Sequence, residues 1–233
     1  MQPFLSGVGI TALYIIVAVG MMLLVRKCLT IPDELFRKAL HFVLLGAYIP
    51  LVFAFEAWWM AAIFATSLIV ILFPALSIAS KIPMLSAFII ERKKGEFLSS
   101  MVLAVGMMAF SVIVCWGLFG DRYLVLAVIY AWGIGDGLAA LVGKRFGKHK
   151  IKWKLADGKK SVEGSAAMFL CSLVAVFTVL MVRGGIGAIM CFVIALFTAI
   201  VSALAELCAK DGWDTVICPV SAMIVIIPMV SLL

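Results

Sequence analysis

The chain has 233 residues, of which 66% are hydrophobic and 13% charged, with a mean hydropathy of +1.24 and a formal net charge of +7. Soluble domains carry charge on about a quarter of their residues, so this composition excludes a soluble enzyme and predicts an integral membrane protein. One helical span takes about 20 mostly apolar residues, so the length admits seven or eight spans and no large soluble domain beside them.

Hydropathy predicts an all-α, polytopic transmembrane helical bundle of eight spans, roughly at 6–25, 38–55, 58–78, 97–119, 123–143, 164–182, 186–207 and 214–233. The whole of 1–233 reads as a single integral membrane domain with cytoplasmic loops at 79–96 and 144–163. Only polar or neutral residues precede the first apolar segment, which lacks the basic start and cleavage site of a signal peptide and is expected to stay as the first span. Pro50 and Glu56 mark the break between the second and third spans; a re-entrant hairpin there makes seven the alternative count. Trp58 and Trp59 fall at a predicted interface and read as membrane anchors. The six cysteines (Cys28, Cys115, Cys171, Cys191, Cys208, Cys218) show no CxxC spacing and lie mostly in or beside apolar segments, as small hydrophobes do, with neither a disulfide framework nor a zinc site.

Lys and Arg in short loops collect on the cytoplasmic side. With eight spans, one side receives Arg26, Lys27, Arg37 and Lys38, then Lys81, Arg92, Lys93 and Lys94, then the eight basic residues of 144–160, then Lys210, which is 17 of the 19. Arg122 and Arg183 alone fall on the other side, so both termini are expected outside and every basic loop in the cytoplasm. Attraction to anionic lipid accounts for the first two loops as well as any site does. The third, KRFGKHKIKWKLADGKKS, carries more charge than orientation requires, and it lies between an intramembrane aspartate and Glu163.

That aspartate, Asp136, stands in WGIGDGLAALVGKRFG, about 12 Å below Lys144 on a regular helix. Gly133, Asp136, Gly137, Ala140 and Gly143 share a helical face of small residues, open to close approach by another helix or by a ligand. Ionisable groups at membrane depth are costly and are functional or paired; the competing reading is a packing groove in which Asp136 is hydrogen-bonded to a neighbouring helix. Glu206, with Asp211 and Asp214 in ELCAKDGWDTV, forms a second acidic group, although the two aspartates also suit a solvated turn. Glu163 is the third, where a carboxylate also suits a helix N-terminus without chemistry. Hard cations such as Mg²⁺ take one or two carboxylates together with phosphate oxygens, while Lys, Arg and backbone amides take the remaining phosphate charge. The combination suits phosphoryl or nucleotidyl transfer, in which catalysis is mostly positioning and charge neutralisation.

Known nucleotide motifs do not fit. Gly137 and Gly143 are separated by five residues, and Arg145 stands where a P-loop needs Ser or Thr. GIGDGL has Leu138 where a dinucleotide fingerprint needs its third glycine. His41, beside Arg37 and Lys38, suits either a phosphate contact or a helix end near headgroups, and His149 reads as part of the solvated basic loop.

The pattern GDGLAALVGKRFGKHKI followed by GKKSVEGSAAMF resembles the membrane-bound lipid kinase family that includes dolichol kinase, phytol kinase and the CTP-dependent diacylglycerol kinase. FRKALHF, ERKKGEFLSS and AELCAKDGWDTVICPV are similar to the family's other elements, in its order, from about residue 35 to 220. The last of these reads Asp214-Thr215 where the family commonly reads Asp-Asn. The resemblance implies transfer of the terminal phosphate of a nucleoside triphosphate, typically CTP, to a lipid alcohol from the bilayer, with Mg²⁺ or another divalent cation and with no nucleic-acid partner. It also implies a multi-pass protein of the cell membrane in a bacterium, or of the endoplasmic reticulum or plastid membrane in a eukaryote.

Carried over by residue, the resemblance implies Asp136 as the essential acid, with Lys144, Arg145, Lys160 and Glu163 in the nucleotide site. The expected catalytic set is Asp136, Glu163 and His41, and Lys148, Lys159, Ser161, Arg37 and Lys38 are expected around the nucleotide as well. The expected metal ligands come from Asp136, Glu163, Glu206, Asp211 and Asp214. The central pattern is also similar to phosphatidate cytidylyltransferases, whose C-terminal His-Gly-Gly and Asp-Arg are missing after Lys210-Asp211. A small transporter using Asp136 and Glu206 is the non-enzyme alternative, which leaves the basic loop without a role.

Overall fold

The computed structural model describes residues 2–79, 81, 95–152, 160–209 and 212–233. Among the described residues the protein is all-α, and eight segments are long and apolar enough to cross a membrane: Gln2–Cys28, Asp33–Phe53, Trp58–Ile78, Phe97–Leu118, Arg122–Phe146, Val162–Arg183, Ala188–Cys208 and Asp214–Ser231. It is an integral membrane protein, and every expected span is present. The chain divides into two compact units, Met1–Gly117 and Leu118–Leu233.

In the first unit, α1 (Gln2–Cys28) ends on Arg26 and Lys27, and α2 (Asp33–Gly46) begins on Asp33 and Glu34. Both arrangements place charge of the favourable sign at a helix end. α3 (Tyr48–Phe53) continues the same span beyond a step at Ala47. The step lies where Pro50 makes it necessary: proline lacks the N–H that would bond the carbonyl of Gly46, and its ring crowds that carbonyl. Pro50 thus kinks the second span, and the chain turns at 54–57 instead.

α4 (Trp58–Ala79) packs on α5 (Glu96–Ser111). The span containing α5 finishes as a π-helical stretch, Val112–Leu118, where hydropathy alone predicts one uniform helix. The Trp58 ring lies against Gly117, where an added Cβ would stand 3.0 Å from it. α1 is held by few contacts: the Phe55 ring packs on Gly7, and the Tyr14 hydroxyl donates to Val43 O at 3.1 Å. Its Leu13, Ile16, Met21 and Leu24 are exposed, as suits side chains facing lipid.

The second unit is a four-helix bundle of α6 (Arg122–Phe146), α7 (Val162–Arg183), α8 (Ala188–Cys208) and α9 (Asp214–Ser231). α6 packs on α7, α7 on α8, α8 on α9 and α9 back on α6, which closes the ring. Lipid gives helices no hydrophobic reason to associate, so close backbone approach and polar contacts must hold them. Both are present along α6 and α7. Ala131, Gly135, Ala139 and Gly143 recur every fourth residue and form the seam against α7. The Ser172 hydroxyl donates to Ala131 O at 2.5 Å, and a Cβ built on Gly164 would stand 3.1 Å from Ala139 O and 3.4 Å from the Gly143 Cα.

At Gly135 an added Cβ would press on the Met168 sulfur and lie 2.6 Å from the Ser172 hydroxyl oxygen. Gly135→Leu is therefore expected to cost about 1–3 kcal/mol through overpacking, read as a lower thermal midpoint in detergent. Gly106→Leu, at a position where an added Cβ meets nothing within 4 Å, is the control expected to change little.

Candidate functional site

The up-and-down order of the second unit brings the end of α6, the start of α7, the end of α8 and the start of α9 to one end of the bundle. At the opposite end Asp121 caps α6, accepting the Tyr123 N–H at 2.8 Å, and its other carboxylate oxygen accepts the Nε–H of Arg183 at the last turn of α7. The hairpin is therefore closed at both ends. Of the functional residues expected from the sequence, Lys144, Arg145, Lys148, Lys160, Ser161, Glu163, Glu206 and Asp214 stand toward the first end.

Asp136 is half-buried on α6, one residue beyond Gly135 of the α7 seam and so about 100° around the helix from it. The packing groove and the aspartate thus belong to different faces. Gly133 and Gly137 are buried, but the close approach to α7 is made through Gly135 and Gly143. Asp136 on α6, Glu206 in the last turn of α8 and Asp214 in the first turn of α9 stand on three helices of one bundle, toward the same end.

Glu206 is 8% exposed in the last turn of α8. Its carboxylate holds the Lys160 ammonium at 2.7 Å, and the same ammonium donates to the Glu206 backbone carbonyl. That carbonyl, in the last turn of α8, also accepts the Ala209 N–H at 3.2 Å, so Lys160 adds a second donor at the end of α8 as well as neutralising Glu206. Asp214 opens α9 and is half-buried. Among the described residues no three His, Cys, Asp or Glu side chains form a ready metal-binding group.

The connection between α6 and α7 folds back on itself in a short antiparallel contact. Lys150 bridges Ser161, Ile151 N–H donates to Lys160 O at 3.0 Å, and Val162 N–H donates to His149 O at 2.9 Å. Ser161 is buried; its hydroxyl accepts the Gly164 N–H at 3.2 Å as the cap of α7. Glu163 accepts the His149 backbone N–H at 3.2 and 3.4 Å, and one of its oxygens lies 2.7 Å from His149 Nδ1. The sequence carried no signal for this pairing, which comes from a backbone reversal over fourteen residues.

Lys144, Arg145 and Lys148 are exposed, the first two in the last turn of α6, where cations suit the helix dipole. Lys160 differs from them in turning inward. Lys159 and Asp211 lie outside the described residues, as do Arg92, Lys93, Lys94 and Lys210. Arg37, Lys38 and His41 stand on α2 of the first unit. There Arg37 pairs with Glu34 at 2.5 Å, Lys38 is 5% exposed, and the His41 ring meets Phe42 edge-on at 6.0 Å.

The chain is 27% identical over 237 residues to a curated protein named phytol kinase from Synechocystis sp., a match that covers 96% of this chain and 91% of that protein. No family model and no solved structure matches it.

Proposed function

We propose that this protein is a membrane lipid kinase that transfers the terminal phosphate of a nucleoside triphosphate, CTP, to the hydroxyl of a lipid alcohol. The observation that carries the reading is the half-buried Lys160–Glu206 ion pair, with Asp214 opening α9 and Asp136 on α6, at the same end of the bundle as the exposed Lys144, Arg145 and Lys148. The similarity to a phytol kinase along nearly the full length supports it. So does the charge asymmetry of the loops, which favours a cytoplasmic site.

Phosphoryl transfer asks a protein for position and for charge of opposite sign around the phosphates. Lys144, Arg145 and Lys148 supply exposed cations at that end of the bundle. Asp136 lies more than two helical turns deeper, where a lipid hydroxyl arriving from the bilayer meets the nucleotide end, and it orients that hydroxyl. Mg²⁺, when bound, would supply charge neutralisation on the phosphates. It would need one or two protein carboxylates beside phosphate oxygens, and Asp214 and Asp136 would provide them while Glu206 stays with Lys160. The acceptor is a long-chain alcohol of the phytol, polyprenol or diacylglycerol kind.

Full-length protein in detergent or vesicles is incubated with γ-labelled CTP, Mg²⁺ and a panel of these alcohols, with ATP and UTP as competing donors. The expected result is label in a lipid phosphate, with CDP released. Pyrophosphate and a CDP-lipid formed from a lipid phosphate would assign cytidylyl transfer instead. Absence of any nucleotide-dependent lipid product across the panel overturns the proposal.

A further inference from the structure

We infer that Glu163 is a positioning residue: its carboxylate locks the two limbs of the α6–α7 connection together and so sets where the basic side chains of that connection stand. The inference rests on the kinase reading for its functional consequence, but not for the contact itself.

Antiparallel limbs exchange N–H and C=O groups in pairs. Here His149 gives its carbonyl to Val162 N–H and needs an acceptor for its own N–H. The facing limb has no carbonyl to offer, because by Val162 it has entered α7 and its carbonyls point along the helix. The Glu163 side chain supplies that acceptor, with both oxygens on the His149 N–H and one of them also on the ring Nδ1. A charge-assisted bond of this kind is about twice as strong as a neutral one, and its side chain starts from the first turn of a helix capped by buried Ser161. The grip therefore ties the 147–152 limb to the capped first turn of α7.

Three lysines depend on it. Lys148 and Lys150 flank His149 on that limb. Lys160 lies on the other limb, where its backbone carbonyl takes the Ile151 N–H while its ammonium reaches Glu206. Releasing His149 frees the first two to drift from the third. A carboxylate already committed to a backbone N–H and an imidazole is poorly placed to bind a metal or move a proton, so its effect is carried by the lysines it orients.

Glu163→Gln separates the roles. A glutamine keeps an oxygen for the His149 N–H and an amide donor for the ring, whereas a metal ligand or base loses its function on losing its charge. Glu163→Gln is expected to keep kcat within about threefold of the parent, while Glu163→Ala raises the nucleotide KM about tenfold with a smaller change in kcat, as for the loss of one charge-assisted hydrogen bond. His149→Ala in the Glu163→Ala background is expected to add little. Hydrogen exchange on the full chain in detergent reads the contact directly. The His149 amide should be protected in the parent and in Glu163→Gln, and unprotected in Glu163→Ala.

A hundredfold fall in kcat for Glu163→Gln, or equal exchange of the His149 amide in all three proteins, overturns the inference. If the parent transfers no phosphate at all, the kinase reading fails, and the exchange measurement still decides whether Glu163 holds the turn.

Discussion

Asp136→Asn is expected to lower phosphate transfer by at least about 100-fold, the scale of losing one preorganised electrostatic contact at a reacting group, while the protein inserts and folds as before. The substitution keeps the size and the hydrogen-bonding reach of the side chain and removes only its charge. Asp136 also stands off the seam with α7, whose close contacts run through Ala131, Gly135, Ala139 and Gly143. Membrane yield, gel-filtration profile and thermal midpoint should match the parent, and the labelled-CTP assay should show the loss. Wild-type turnover in this variant would remove Asp136 from the reaction.

Lys160→Met carries the largest expected effect on stability. The Lys160 and Glu206 side chains are only 15% and 11% exposed. Removing one partner of a buried ion pair leaves the other charged without its counter-ion, at a cost of about 3 kcal/mol or more. The methionine also takes away the ammonium that donates to the Glu206 carbonyl. For a chain of this length the thermal midpoint should fall by about 6 °C or more. Lys160→Met with Glu206→Met should recover much of that, because no charge is then left stranded. Lys144→Met, at an exposed position in the same basic cluster, should change it little. Equal midpoints for the Lys160 and Lys144 variants would show that the pair does not hold the α8 end.

The spans were legible because the bilayer enforces the signal: an unpaired backbone group in hydrocarbon costs several kcal/mol, so apolar length and helix coincide. Details that depend on hydrogen-bond register were not legible. The π-helical stretch at Val112–Leu118 has the same hydropathy as the helix it continues, and Pro50 shifted a helix step to Ala47 without ending the span. At the candidate site, the glycine pattern around Asp136 was visible, but it joined two faces that the fold separates, because the seam runs through Gly135 and Gly143 at i, i+4 spacing while Asp136 lies about 100° around the helix from Gly135. The inward turn of Lys160 and the grip of Glu163 on His149 arise from a backbone reversal and from the meeting of α7 with α8. No local pattern encodes either.

The closed hairpin of α6 and α7 also bears on the order of assembly. Its contacts join neighbouring segments of the chain, with Asp121 to Arg183 at one end and Gly143 to Gly164 at the other, and a nascent chain emerges N-terminus first. Both helices of the hairpin therefore emerge before α9 does. The basic edge and Asp136 are then in place early, whereas Glu206 and Asp214 are delivered by the last two helices. Such a protein acquires the Glu206 and Asp214 carboxylates after its cationic edge, so a chain that stalls before α9 carries that edge without the carboxylate that α9 supplies.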